Sequence, residues 1–212
     1  MLALIQSRLN SKRLPKKALI KIFNYSLIEH VFLRLKKSKL ISQIVICISN
    51  KKIDDRLAEI LKSKKIPFMR GDLKNVANRL LMVAKRKKVE SFVRISGDSP
   101  LIDYEVVDNL IKIYNKNKRE ADIFTNIFPR TFPSGQSVEI IKVKVLKDNI
   151  KYFKHSEKEH VTEFFYKNST KFKIKNMINK NKIYKLNNKL SIDTLDDLKF
   201  LKKKYKKKLL NI

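Results

Sequence analysis

The run Gln43-Ile44-Val45-Ile46-Cys47-Ile48-Ser49 sets the strongest limit on how this chain can fold. Five successive apolar residues, most of them β-branched, leave no polar face, so a strand built from them is covered on both sides. Sheets covered on both sides are mostly parallel, with helices on each face. The flanking sequence supplies such helices. Met1 to Gln6 reads as a first buried strand, and from Tyr25 onward Leu27, Ile28, Val31, Phe32 and Leu35 recur at helical spacing with Ser26 placed to cap them. Asp54 to Lys64 reads as a helix and Pro67 to Met69 as a short third strand ended by Arg70-Gly71-Asp72. Asn75 to Lys88 is a further amphipathic helix, with Val76, Leu80, Leu81 and Val83 turned inward. This alternation predicts a doubly wound α/β sheet.

Ligands of such sheets bind just past the carboxyl ends of the strands, and two segments there carry chemistry. Ser7-Arg8-Leu9-Asn10-Ser11-Lys12-Arg13-Leu14-Pro15-Lys16-Lys17 follows the first strand directly and is strongly basic. Its position suits a phosphate chain, whereas a generic run of cations would be a solvated loop. Phe92, Val93 and Ile95 form another buried strand, which Gly97 and Pro100 end abruptly, so Asp98 stands just beyond it. An acid there either suits a hard cation or ties up loop amides as an Asx-turn. Asp103 and Tyr104 open the helix that follows.

The second half is less regular. Asp122 to Thr125 and Ser137 to Ile141 read as strands around a turn bracketed by Pro129 and Pro133, with Glu139 facing either solvent or a cleft. Asn149 to Ser169 is mixed, with a helix-like Glu163 to Tyr166; Phe172 to Ile178 alternates like a strand, and 179–189 is a loop. Leu190 to Asp193 reads as strand, then acid, then a helix capped by Asp193 or Thr194. Lys202 to Lys208 is a solvated helix end, Arg79 an ordinary helical surface residue on composition, and His30 a packing or surface histidine.

Composition narrows the class. At 212 residues the chain is expected to be a single domain, 1–212, with about 130–180 a candidate sugar-binding or dimerisation subregion. Leu2 to Ile5 is cut off at once by Gln6-Ser7-Arg8, so neither a signal peptide nor a membrane-spanning run is expected, and the cytoplasm is the expected location. The single cysteine, Cys47, lies within the apolar run and reads as a buried structural thiol; three scattered histidines argue against zinc. A net charge of +30 points at first to nucleic acid. Yet only ten of the 50 basic residues are arginine, and the lysines are spread along the whole chain with abundant Asn and Ile, as adenine- and thymine-rich codons would produce. Phosphate and base recognition favours the arginine fork, so the charge is read as compositional drift, with a basic nucleic-acid-binding protein as the alternative.

Six stretches together resemble one family. Ile5 through Lys17, Arg70-Gly71-Asp72 with Arg79, Val93 through Ile102, Gly135 through Glu139, Glu159-His160-Val161-Thr162 and Ser191 through Leu198 are similar, in the same order, to the cytidylyltransferases of spore coat polysaccharide biosynthesis, and more distantly to CMP-Kdo and CMP-sialate synthetases. The resemblance implies a Rossmann-like, mostly parallel sheet of the nucleotide-diphospho-sugar transferase type with a small antiparallel appendage. It implies an enzyme that joins CTP to a sugar, most plausibly an acidic one, releasing pyrophosphate, in some relatives as a homodimer. Arg8, Ser11, Lys12, Arg13, Lys17, Arg79 and Gly97 fall on nucleotide positions, Arg13, Lys17 and Asp98 on catalytic ones, Asp98 and Asp193 on the acids that hold Mg²⁺, and Glu139 and His160 on the sugar side. Another nucleotide, or a fold that has lost activity, stays open, because Asn10 and Lys16 stand where the family usually has glycine.

If the charge is drift rather than a nucleic-acid footprint, binding of a single-stranded oligonucleotide will be weak. A steep linear fall of log affinity with log salt, reporting about six or more phosphate contacts, would reverse that conclusion.

Overall fold

A computed structural model describes residues 1–181 and 183–212; Lys182, inside the expected loop 179–189, lies outside the described residues. The elements are, in chain order, β1 (Leu2–Gln6), β2 (Lys21–Ile22), β3 (Tyr25–Ser26), α1 (Leu27–Leu35), β4 (Gln43–Ser49), α2 (Asp55–Ser63), β5 (Phe68–Gly71), α3 (Val76–Arg86), β6 (Ser91–Ser96), α4 (Tyr104–Asn117), β7 (Ile123–Thr125), β8 (Glu139–Lys142), α5 (Val143–Asn149), α6 (His155–Glu159), α7 (Glu163–Lys167), β9 (Ile174–Asn176), α8 (Leu195–Lys204) and α9 (Lys206–Leu210). The caps follow local chemistry. Ser26 forms a capping box with Glu29, Asn75 accepts from Asn78 N, and Asp103 accepts from Glu105 N.

The main sheet runs β5-β4-β1-β6-β8-β7-β9. β5, β4, β1 and β6 are parallel neighbours, β8 is antiparallel to β6 and to β7, and β9 is parallel to β7. The expected mostly parallel α/β sheet is therefore present, and the β2–β3 ribbon is a small antiparallel appendage. From β1 the chain moves outward to β4 and β5, then returns to the other side of β1 as β6. Successive crossovers thus diverge between β1 and β6, which opens a crevice at the carboxyl ends of these two strands. The segment 130–180 is woven into the same sheet, with β8 lying between β6 and β7.

Strand alternation splits the core in two. Ala3, Ile5, Ile46, Val93 and Ile95 pack with α1, α2 and α4, while Leu2, Leu4, Val45, Phe92 and Ile141 pack with α3 and α7. Cys47 is fully buried on the second side, and burial pushes its thiol up to about 12, as expected of an inert structural cysteine. A third, smaller cluster joins Leu14 and Leu101 to Leu190, Ile192, Leu198, Leu201 and Leu209. It fastens the last two helices against the loops that follow β1 and β6.

Three expectations need correction. Leu190 to Asp193 is not a strand: Leu190 N donates to Ser134 O at 2.8 Å and Ile192 N to Asp98 O at 2.9 Å. Its amides are shared between two different segments, so no continuous ladder forms, and only a bridge between Ser134 and Lys189 remains. Arg79 is not a surface residue but 1% exposed, because the first turn of α3 packs against Gly71, where an added Cβ would come within 2.9 Å of Arg79 Cγ. Two helices that the pattern did not reveal are present, α5 just before the mixed region and α6 within it. Helices this short depend on tertiary packing rather than on their own periodicity.

Gly135 has φ +91°, and a Cβ there would lie 2.4 Å from the Leu190 carbonyl carbon. Gly135→Ala should therefore destabilise the fold by more than about 1 kcal/mol and displace the segment leading to Asp193. Urea unfolding measures the first effect; unchanged stability would contradict this packing.

Candidate active site

The loop after β1 is held from several directions. Ser7 N donates to Cys47 O at 3.1 Å, and Lys16 N closes the loop onto Leu9 O at 2.9 Å. The fully buried Asp54 accepts from Leu9 N at 2.7 Å through Oδ1 and from Ser49 N at 2.8 Å through Oδ2, clamping the loop to the end of β4. Lys16 itself adopts a left-handed conformation, φ 56° and ψ 22°. Glycine adopts this geometry without penalty, whereas a lysine there carries roughly 1 kcal/mol of strain. Asn10 is not among the positive-φ residues.

The loop after β6 closes on the first. Gly97 N donates to Gln6 O at 2.9 Å, and a side chain at Gly97 would bring a Cβ within 2.8 Å of that oxygen. The role of Gly97 is this close approach, since its amide is already engaged. The third component arrives when Ile192 pairs with Asp98 O and Thr194 caps α8 by accepting from Asp197 N.

These loops bring Asp98 and Asp193 to one point. Lys17 Nζ lies 3.2 Å from Asp98 Oδ2, 3.1 Å from Asp193 Oδ1 and 3.0 Å from Ile192 O. Arg13 reaches the same Asp193 Oδ1 at 3.0 Å, and Lys189 lies 3.5 Å from Asp193 Oδ2 and 2.6 Å from Asp197 Oδ2. The side chains of Lys17, Asp98 and Asp193 are 17, 23 and 18% exposed, buried enough for strong attraction yet open to a ligand. Two carboxylates and a backbone carbonyl are hard oxygen donors that fit a Mg²⁺-like ion whose remaining ligands are water or phosphate. Among the described residues no cluster of three or more His, Cys, Asp or Glu side chains that could hold a metal ion forms.

The other expected residues are distributed around this centre. Arg8 pairs with Glu159 and donates to Leu73 O at 3.4 Å. Lys12 and Arg13 are exposed, and Ser11 is half-buried. The guanidinium of Arg79 is enclosed and donates to Asp72 O, and burial lowers its pKa from the ordinary arginine value; it supports the loops rather than opening onto them. Glu139 is 1% exposed: Arg94 pairs with one oxygen, Thr162 and Tyr166 donate to the other. Both readings of Glu139, solvent face and cleft, therefore give way to a buried ion pair, since Arg94 lies directly opposite it in the β6–β8 register. Burial, reinforced by the Glu139 charge, raises the Tyr166 phenol pKa, so Tyr166 stays a donor. His160 is exposed at the end of α6.

Asp54, Arg94 and Lys189 were not singled out by sequence reasoning. Arg94 was discoverable as a charge inside the apolar run Phe92-Val93-Arg94-Ile95. Asp54 looked only like a helix start, and nothing local marks Lys189.

A switch-point crevice lined by cations and two converging acids is the build of a nucleotidyltransferase. Residues 2–212 match the family described as Cytidylyltransferase, and the chain belongs to that family. It is 31% identical over 199 residues to an uncharacterized protein of Methanocaldococcus jannaschii, covering 93% of this chain and 80% of the relative. It is 25% identical over 212 residues to the spore coat polysaccharide biosynthesis protein SpsF of Bacillus subtilis, covering 97% and 86%. A solved cytidylyltransferase from Leptospira borgpetersenii superposes with a TM-score of 0.87 at 27% identity, over 100% of this chain and 97% of that one.

Asp54→Ala leaves two enclosed amides without their acceptor and should cost about 1–3 kcal/mol, read in urea unfolding. Asp54→Asn, which keeps an oxygen for one amide, should lose less; equal losses would mean that the clamp is not what stabilises the loop.

Proposed function

We propose that the protein transfers the cytidylyl group of CTP to a sugar hydroxyl, yielding a CMP-sugar and pyrophosphate, with Mg²⁺ held by Asp98 and Asp193. The observation that carries this reading is the meeting of these two carboxylates beside the cationic first loop. Arg8, Arg13 and Lys17 bind the triphosphate and offset charge that grows on the departing pyrophosphate. Ser11 and Lys12 line the same loop. The acceptor hydroxyl oxygen forms its bond to the α-phosphorus and releases its proton to water, as the bond from that phosphorus to the bridging oxygen breaks and the bridging oxygen leaves with pyrophosphate. When bound, Mg²⁺ supplies charge neutralisation and alignment of phosphate oxygens.

On the acceptor side, Arg94 is fixed by Gln6 Oε1 at 2.9 Å and by Glu139. Glu139 thus acts by positioning, while His160 has the exposure a substrate contact needs. An acidic sugar is the proposed acceptor. Among the relatives is a protein of Geobacter sulfurreducens named 3-deoxy-manno-octulosonate cytidylyltransferase, 30% identical over 145 residues, and that sugar is an acid. The name of the Bacillus subtilis relative supports a role in surface polysaccharide synthesis. Among the described residues no helix is long and apolar enough to cross a membrane.

The test combines binding and turnover. CTP at one hundred times its Kd should stabilise the protein by about 2.7 kcal/mol, seen as a raised melting temperature, with UTP, GTP and ATP giving smaller shifts. With CTP, Mg²⁺ and a panel of sugar acids the protein should release pyrophosphate, and Asp98→Asn should slow release at least about 100-fold. A larger shift with another nucleotide would reassign the donor, and absence of both CTP binding and turnover would defeat the proposal.

A further inference from the structure

The ammonium of Lys17 has three N–H donors, and three oxygens surround it: Asp98 Oδ2, Asp193 Oδ1 and the carbonyl of Ile192. The first two belong to the carboxylates to which the proposed function gives Mg²⁺. A magnesium ion sits about 2.1 Å from its ligand oxygens. An ion bound to both of these atoms would press against the ammonium, cation against cation at close range in a partly desolvated site. Ammonium and metal therefore exclude one another.

The base of the side chain cannot withdraw to make room. Lys17 N is bonded to Leu14 O at 3.2 Å, and Lys16 before it is locked in its left-handed turn. What can move is the flexible four-carbon stem. Its tip is anchored only by charge and hydrogen bonds, in a loop that also holds Lys12 and Arg13 and so attracts a polyphosphate.

We propose that Lys17 keeps the metal site closed by occupying its oxygens, and that the triphosphate opens the site by drawing the Lys17 ammonium onto its own. This inference rests on the function proposed above and extends it. Nucleotide and metal then bind cooperatively, each raising the affinity for the other by the same factor, and free divalent ions bind weakly whatever their concentration in the surroundings. Arg13 and Lys189 also touch Asp193, but neither contacts Asp98; among the described residues only Lys17 bridges the two acids.

The experiment measures Mn²⁺ binding to the full chain by electron paramagnetic resonance with no nucleotide present. Lys17→Met should bind Mn²⁺ at least ten-fold more tightly than the parent protein. Lys17→Arg, which keeps the cation, should stay within about two-fold of the parent, and Lys17→Met combined with Asp98→Asn should lose the gain. Circular dichroism and melting curves verify that each variant is folded. On the unsubstituted protein in EDTA, the ¹³Cε resonance of Lys17, assigned with the arginine variant, should shift when CTP is added. The proposal is overturned if Lys17→Met binds Mn²⁺ no more tightly than the parent, if the gain survives Asp98→Asn, or if Lys17→Arg gains as much. It is equally overturned if CTP binds yet leaves the Lys17 resonance in place. Normal CTP turnover without an Mn²⁺ gain would sink this inference alone, whereas an Mn²⁺ gain without CTP binding or turnover would sink the cytidylyl-transfer reading and leave the competition for the two acids standing.

Discussion

One ammonium group joins three distant parts of the chain. Lys17 comes from the loop after β1, Asp98 from the turn after β6, and Asp193 from the segment before α8. The Lys17 ammonium lies 3.2 Å from Asp98 and 3.1 Å from Asp193, so its charge offsets the repulsion between the two carboxylates. Charge-assisted hydrogen bonds in a partly enclosed site are stronger than their surface counterparts, and here they set the relative placement of Lys17, Asp98 and Asp193. The acids that hold these loops together are also the ones to which the proposed reaction assigns the metal.

That meeting point is made by the sheet and finished by the satellite core. The reversal of strand order at β1 and β6 brings two loops to one crevice. A sheet alone would not supply Asp193, which reaches the site because Leu190, Ile192, Leu198, Leu201 and Leu209 bury their side chains against Leu14 and Leu101. Gly135 permits the close passage of the 190–193 segment, and the amides of that segment are satisfied by Ser134 and Asp98. The acid is held by packing and by shared hydrogen bonds, without a strand of its own.

The chain has three glycines, and its backbone records the consequences. Lys16, Lys65 and Lys88 all take positive φ. The last two follow α2 and α3, where helices commonly end on a left-handed glycine. Each such lysine costs about 1 kcal/mol, offset by the hydrogen bonds that enforce the turn: Lys16 N to Leu9 O, Ile66 N to Leu61 O and Val89 N to Ala84 O. Around the first loop the strain is tolerated because the Asp54 clamp and the Leu9–Lys16 closure over-determine its shape. The turn at Lys16 thus forms without glycine, and its lysine places a cation at the rim of the loop.

Much of the frame was legible from residue order. The unbroken apolar run of β4, the Ser26, Asn75 and Asp103 caps, and the abrupt ends of β1 and β6 fixed the alternation of strand and helix, and with it the edge where function had to lie. These features are local, since burial of one element follows from its own periodicity. The meeting of Asp98, Asp193 and Lys17 was reached through family resemblance, not through spacing. The enclosure of Arg79 and Glu139, the pairing of Arg8 with Glu159, the clamp at Asp54 and the helices α5 and α6 were decided only by tertiary structure. A charged side chain's partner depends on which strands the crossovers place side by side, and no window of sequence short enough to show a period contains both ends of such a pair.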